Sequence, residues 1–344
     1  MPPDSSDSPV SREAAGDPDA KSAAARDAGA VVVLAGGVGA ARFLRGVVRA
    51  VPPESLTVVV NTGDDRSFYG VHVSPDIDIV TYTLAERIDR SRGFGLSGDT
   101  YHLVDRLAEL GHETWFRLGD ADYANCLHRS LRLSQGAGLN VITDELRRDH
   151  DLALRILPMS NDACPTFVEL SNGRRIHFEE YLVRDGAPTD VETIDLSAAQ
   201  RARPAPGVLE AIAGADTILV CPSNPIVSIG PILAIPGILE ALRASAAPIV
   251  GVSPIVRGAP IKGPAHTLLR ALGIEVSALG VARFYSGWMT GFVFDERDGA
   301  LKAEIEALGL ESTSLDTMMV DAAISQSVAE AALDVADRLR GPRI

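Results

Sequence analysis

The reading of residues 30–51, AVVVLAGGVGAARFLRGVVRAV, decides the fold. Val31 to Ala35 is a short apolar, mostly β-branched run, the pattern of a strand buried on both faces. Gly36, Gly37 and Gly39 then read as a tight turn, and from Ala40 to Ala50 the residues Phe43, Leu44, Val47 and Val48 repeat at helical spacing. A second apolar run, Leu56 to Val60, follows about one helix later. Strand, helix, strand is a βαβ unit, so the spacing predicts a doubly wound, Rossmann-like, mostly parallel α/β sheet. Two further strands, Thr217–Cys221 and Ile249–Val252, each run into a polar or glycine-rich loop. Ligands of such sheets sit outside the carboxyl ends of the strands, so these four transitions should meet at one crevice. We expect one α/β domain over 30–340, with a mainly helical insertion at about 87–157 and a hairpin region at about 166–184 that turns at Ser171-Asn172-Gly173. Residues 1–29 are rich in Pro, Ser, Ala and Asp, lack an apolar signal core, and read as a disordered tail.

Composition limits the partners. The chain has 344 residues, 46% of them hydrophobic, which is enough for a large core and excludes disorder throughout. A formal charge of -14 argues against nucleic acid or an anionic membrane held by bulk charge. No apolar run reaches the length of a membrane span. Cys126, Cys164 and Cys221 are too scattered for a disulfide framework or zinc site and fit buried thiols in a reducing cytoplasm. An anionic ligand would need backbone N–H groups, a few basic side chains, or a metal held by carboxylates.

All three devices have candidates. The glycine turn at Gly36, Gly37 and Gly39 suits a diphosphate, because glycine permits close backbone approach and a helix start offers free N–H donors. A dinucleotide fingerprint would need a glycine where Arg42 stands and an acid where Asn61 stands, so a nicotinamide oxidoreductase is disfavoured. Immediately after Val60 come Asp64 and Asp65, and a few residues on, in SPDIDIV, Asp76 and Asp78. Such a gathering of carboxylates at a strand end suits Mg²⁺, although Asp64 and Asp65 also suit a turn and Asp76 also suits a helix cap. In FRLGDADYANCLHRS, capping a helix explains one of Asp120 and Asp122. The loop CPSNPIVSIG offers Ser223 and Asn224 to a phosphate or base, and Arg257 and Lys262 lie near glycines in IVRGAPIKGPA.

These motifs, in this order, resemble the CofD/FbiA family, the 2-phospho-lactate transferases of coenzyme F-420 biosynthesis. AGGVGAARFLRGV, VVVNTGDD, SPDIDIV, GLSGDTYHL, RLGDADYANCLHRS, ILPMSNDACPT, CPSNPIVSIGPILAIPGI, VSPIVRGAPIKGPA and FVFDERD carry the resemblance over nearly the whole chain after the tail. Ala40 and Cys221 depart from the usual pattern without touching a carboxylate. The resemblance implies transfer of a phospho-acid (2-phospho-L-lactate, phosphoenolpyruvate or 3-phosphoglycerate) from a guanosine diphosphate-activated donor to the ribityl hydroxyl of 7,8-didemethyl-8-hydroxy-5-deazariboflavin (Fo), with release of GMP, by a cytoplasmic homodimer. It implies that Asp78 and Arg117 meet the deazaflavin. Gly36, Gly37, Gly39, Ser223, Asn224 and Lys262 would face the donor; Asp64, Asp65 and Asp76 would serve catalysis, with Asp65 and Asp76 on Mg²⁺. The alternative is a non-catalytic nucleotide-sugar-binding regulator built on the same sheet.

Overall fold

The computed structural model describes residue 26 and residues 28–341. The tail expected over 1–29 lies mostly outside those residues. Its last part is docked: the Arg26 N–H donates to the Ala50 carbonyl, and Ala28 is buried.

The strands, in chain order, are β1 (Val31–Ala35), β2 (Leu56–Val60), β3 (Arg66–Phe68), β4 (Val71–Val73), β5 (Arg155–Pro158), β6 (Phe167–Leu170), β7 (Arg175–His177), β8 (Val191–Asp195), β9 (Thr217–Val220), β10 (Ile249–Val252), β11 (Ile255–Val256), β12 (Ala259–Pro260), β13 (Gly291–Asp295) and β14 (Glu311–Leu315). Seven of them form one all-parallel sheet in the order β14-β13-β10-β9-β1-β2-β5. The chain winds outward from β1 to β2 and β5, then restarts beside β1 with β9 and winds the other way. The reversal between β1 and β9 is the topological switch point, where such sheets open a crevice. Helices cover both faces, which is why β1 is apolar at every position: Val32 and Leu34 enter one core, and Val31, Val33 and Ala35 enter the other.

Helix α1 (Gly37–Ala50) starts three residues earlier than the apolar spacing indicates. Gly36 is extended and Gly37 has φ +70°, so the chain reverses from β1 into the helix within two residues, and the expected glycine turn is largely the helix's own first turn. The region after α2 (Pro75–Leu84) holds α3 (His102–Glu109), α4 (Asp120–Ser134) and α5 (Leu139–Asp149), then re-enters the main sheet as β5. Four residues are too few for periodicity to separate a strand from the end of a helical segment. The β6–β7 hairpin turns through Ser171–Arg174 and gains β8 as a third strand. Glu180–Arg184, whose apolar residues resemble a strand continuing β7, is instead a π-helical turn.

Gly46 sets how closely α1 crosses the C-terminal helix Ala322–Arg340. A Cβ there would fall on the Ser325 carbonyl, well inside van der Waals contact with rigid backbone. Gly46→Ala should therefore destabilise the fold by about 1–3 kcal/mol, read as a lower urea midpoint. Gly299→Ala, where a Cβ meets nothing within 4 Å, should leave the midpoint within about 0.5 kcal/mol of the parent.

Candidate active site

The carboxyl ends of β1, β2, β9 and β10 open on a cavity of about 470 Å³. Asn61, wholly buried just past β2, ties its floor together. Its Nδ2 donates to Asp76 Oδ2 (2.9 Å) and to the Val227 carbonyl (3.3 Å), while its Oδ1 accepts the Gly63 N–H (2.8 Å). One side chain thus joins the β2 loop, the start of α2 and the loop after β9. Pro75 opens α2 at a position where its missing N–H costs nothing, which places Asp76 in the first turn, beside the Gly37 N–H that donates to it.

Asp64 and Asp76 line the cavity with Glu179, and all three are buried. Burial, then Asp76, Glu179 and Asp65, hold Asp64 well above the ordinary carboxylate range. Burial lifts Asp76 to about 6, although Asn61 and the Gly37 N–H oppose the shift. Glu179 is pushed up to about 8 by burial and then by Asp76. Asp64 Oδ1 is buried without a hydrogen-bond partner. Acidic oxygens that raise one another's pKa, one of them unsatisfied, fit a hard divalent cation as the missing charge.

Asp65 stands differently from its neighbour. Its Oδ2 is taken by Ser74 Oγ (2.7 Å) and His72 Nε2 (3.0 Å); its Oδ1, like that of Asp64, is buried without a partner, but Asp65 does not line the cavity. Asp78 reaches the cavity wall, but both its oxygens are held by the fully buried Arg129 guanidinium. Beside this pair, Asp122 accepts the Tyr82 hydroxyl (2.7 Å) and is pushed up to about 7 by burial and the Asp78 charge. Asp78, Asp122 and Cys126 lie close enough to share an ion, yet Arg129 already supplies their cation. Asp120 caps α3 rather than its own helix, accepting the N–H groups of His102 and Leu103. Asp99 caps α4 through Ala121 and Asp122.

The same cavity has an aromatic wall. Phe116 stacks on Phe68 with ring centroids 3.9 Å apart, Trp115 meets Phe68 edge-on, and both Trp115 and Phe116 line the cavity. Arg117 joins this wall, half-exposed, with its guanidinium 4.8 Å over the Tyr101 ring and paired with Asp105 (2.7 Å). On the remaining side lie Gly36, Gly37, Gly39, Ser223, Asn224 and Lys262. A Cβ on Gly39 would come within 2.5 Å of the Pro222 carbonyl, so only glycine lets α1 approach the β9 loop this closely. Asn224 Oδ1 accepts the Ile226 N–H (3.0 Å), and Ser223 Oγ is buried without a partner. The Arg257 backbone N–H donates to Asp298 Oδ2 (2.9 Å), and Arg257 does not line the cavity.

The structure therefore brings together Asp64, Asp76, Asp78, Arg117, the glycines, Ser223, Asn224 and Lys262, and leaves Asp65 behind them. Sequence reasoning missed Glu179, Arg42, Arg129 and the Trp115–Phe116 wall. A single signal pointed to part of this set: RLGDADYANCLHRS, in which Asp122 and Arg129 sit seven residues, about two turns, apart on one face of α4.

Comparisons with known proteins agree with this geometry. The family model described as 2-phospho-L-lactate transferase CofD matches residues 31–333. A phosphoenolpyruvate transferase of Streptomyces griseus is 42% identical over 90% of this chain and 99% of its own length. A 2-phospho-L-lactate transferase of Methanosarcina mazei is 40% identical over 87% of this chain and 98% of its own. Among solved structures, a UPF0052-family protein of Bacillus halodurans shares the fold, with a TM-score of 0.57 at 21% identity over 88% of this chain and 98% of that one. With residues 31–333 matched by the family model and relatives at least 40% identical over nearly their whole length, the chain belongs to the CofD family of 2-phospho-L-lactate transferases.

Proposed function

We propose that the chain transfers a three-carbon phospho-acid from its guanosine diphosphate-activated form to the ribityl hydroxyl of the deazaflavin Fo, a step of coenzyme F-420 biosynthesis. One observation carries this reading: a single cavity has buried acids with an unsatisfied oxygen beside a glycine-lined helix start, and the aromatic rings of Trp115 and Phe116 in the same lining. The first half suits an activated diphosphate; the second suits a fused-ring acceptor. The named relatives, phosphoenolpyruvate transferases and 2-phospho-L-lactate transferases, support the same chemistry.

The chain's own groups divide the work. Trp115 and Phe116 offer stacking surface to the deazaflavin rings, and Arg117 offers charge-assisted hydrogen bonds at their edge. The Gly36–Gly39 turn, apart from the Gly37 N–H that Asp76 takes, gives its N–H groups to the donor phosphates, and the unpartnered Ser223 hydroxyl lines the same cavity. The acceptor hydroxyl attacks the phosphorus bearing the acid, the bond from that phosphorus to the GMP oxygen breaks, and Glu179, a cavity-lining carboxylate pushed up to about 8, takes the hydroxyl proton. Asp64 and Asp76 would hold Mg²⁺, which when bound supplies positive charge against the donor diphosphate. Asp65 supports the loop through His72 and Ser74 in place of the metal role its position in the sequence implies. The free, buried cysteines support a reducing compartment such as the cytoplasm.

Offering purified protein the guanylylated forms of phosphoenolpyruvate, 2-phospho-L-lactate and 3-phosphoglycerate with Fo should yield a phosphodiester of defined mass from at least one of them. Product should disappear after metal removal with EDTA and return on adding Mg²⁺. Full turnover after confirmed metal removal would refute the metal role, and no product from any donor would refute the reading as a whole. Arg117→Ala should raise KM for Fo by about tenfold, the loss of one hydrogen bond to a charged group, while leaving KM for the donor within about twofold. Steady-state kinetics with each substrate varied in turn would check this.

A further inference from the structure

The segment that carries Trp115 and Phe116 runs into the first turn of α4, where Asp122 also lines the cavity and is only 8% exposed. Carboxyl oxygens of Asp122 and Asp78 lie within 4.8 Å of each other. One guanidinium stands against these two acids, and the first engages it fully. Arg129 donates to both oxygens of Asp78, to the His72 carbonyl (3.3 Å) and to Cys126 Sγ (3.6 Å), and to no atom of Asp122. Asp122 Oδ1 instead accepts the Tyr82 hydroxyl proton (2.7 Å), while that hydroxyl accepts from Asn125 Nδ2 (3.0 Å). The Asp122 N–H is spent on Asp99 Oδ2 (3.0 Å). Among the described residues no donor reaches Asp122 Oδ2.

An ionised Asp122 would leave this cluster with an uncompensated buried charge, which a carboxyl group avoids by keeping its proton. Its surroundings push the same way: burial first, then the Asp78 charge and, more weakly, Asp99 raise it to about 7, against the Tyr82 hydrogen bond and Arg129. Tyr82 and Cys126, the titratable groups beside it on α2 and α4, are themselves pushed up by burial and then by Asp78, so both stay neutral. Because Oδ1 already accepts the Tyr82 proton, the carboxyl proton belongs on Oδ2, the oxygen that the protein leaves free.

We propose that Asp122 is a specificity-determining residue: as a carboxylic acid it donates a hydrogen bond from Oδ2 to a carbonyl oxygen or ring nitrogen at the edge of the fused-ring acceptor. This rests on the transferase reading above. Asp78, with both oxygens filled by Arg129, has no proton to offer, and the aromatic rings of Trp115 and Phe116 supply surface without a donor at this point. A neutral acid meets a ring acceptor atom without bringing a charge to be desolvated. It also rejects a flat ligand that lacks that atom, because the Asp122 proton would then be buried unpaired.

The test uses the full-length chain and Fo as the probe, titrated calorimetrically across pH. The acid donates and the carboxylate does not, so affinity of the parent should hold up to about 7 and fall as pH rises through that value. The loss should reach about tenfold or more by about pH 9. Asp122→Ala should weaken Fo by about tenfold at about pH 6, with GDP affinity within about twofold of the parent. Asp122→Asn keeps an acceptor for Tyr82 and puts an amide donor at the Oδ2 position, so it should restore most of that loss and give a flatter pH profile than the parent. Ionisation of Fo itself acts equally on the parent and on Asp122→Asn, so the difference between their profiles belongs to Asp122. A parent profile no steeper than that of Asp122→Asn would overturn the proposal, and so would an Asp122→Asn as weak for Fo as Asp122→Ala. The comparison of parent with Asp122→Asn needs no truncated side chain, so it holds even where Asp122→Ala does not fold. Fo binding needs no donor and no turnover, so the two readings fail separately. A parent protein that binds Fo with this pH dependence but forms no product would refute the transferase reading and keep the acid; normal transfer with an unaltered KM for Fo in Asp122→Ala would refute the acid alone.

Discussion

Three hydrogen bonds from one buried amide fix the site. Asn61 sits just past β2 with no exposed surface, and it links Gly63, Asp76 and Val227, groups from three separate segments that meet only at the carboxyl edge of the sheet. A buried amide of this kind costs free energy unless its donors and acceptor are satisfied, so satisfying it here makes the arrangement of the loops all but unique. Asp76 is the partner that connects this scaffold to chemistry. It is held by Asn61 and by the first turn of α1, and its charge acts directly on Asp64 and Glu179.

The rest of the cavity follows from where the sheet reverses direction. Because β1 lies between β2 and β9, the helix start after β1 faces the acids after β2 on one side and the Pro222–Ser228 loop on the other. The glycine turn proposed for phosphate and the carboxylates proposed for the cation are therefore neighbours by topology. The aromatic wall arrives by a different route, through the β3–β4 hairpin and the segment leading into α4, which pack as a small separate core around Phe68, Leu118 and Cys126. Arg129 and Asp78 join that core to α2. Removing either partner would leave the other charge buried without compensation, a cost of about 3–5 kcal/mol.

Much of this was legible in the sequence, and the division between what was and was not is physical. β1, β2 and β10 are apolar at nearly every position because both their faces are covered, so their limits could be read to the residue. Asp64, Asp76 and Asp78 could be read as a group because they follow one strand at short range. Asp65 could not be told from Asp64, since adjacent carboxylates in a loop carry no mark of which one faces inward; the hydrogen bonds from His72 and Ser74 decide it. Glu179 reaches the acids only after the chain has formed β5, β6 and β7, and Arg129 lies 51 residues from the Asp78 it binds. No local pattern reports such meetings.

Asp64 and Asp76, positioned by Asn61, are the proposed cation site. Titration of Mn²⁺, a paramagnetic stand-in for Mg²⁺, into the protein with GDP present, followed by electron paramagnetic resonance, measures that site directly. The account expects Asp64→Asn and Asp76→Asn each to weaken Mn²⁺ by about tenfold or more relative to the parent, with Asp65→Asn having a smaller effect. Equal Mn²⁺ affinity in the parent and in Asp76→Asn would contradict it.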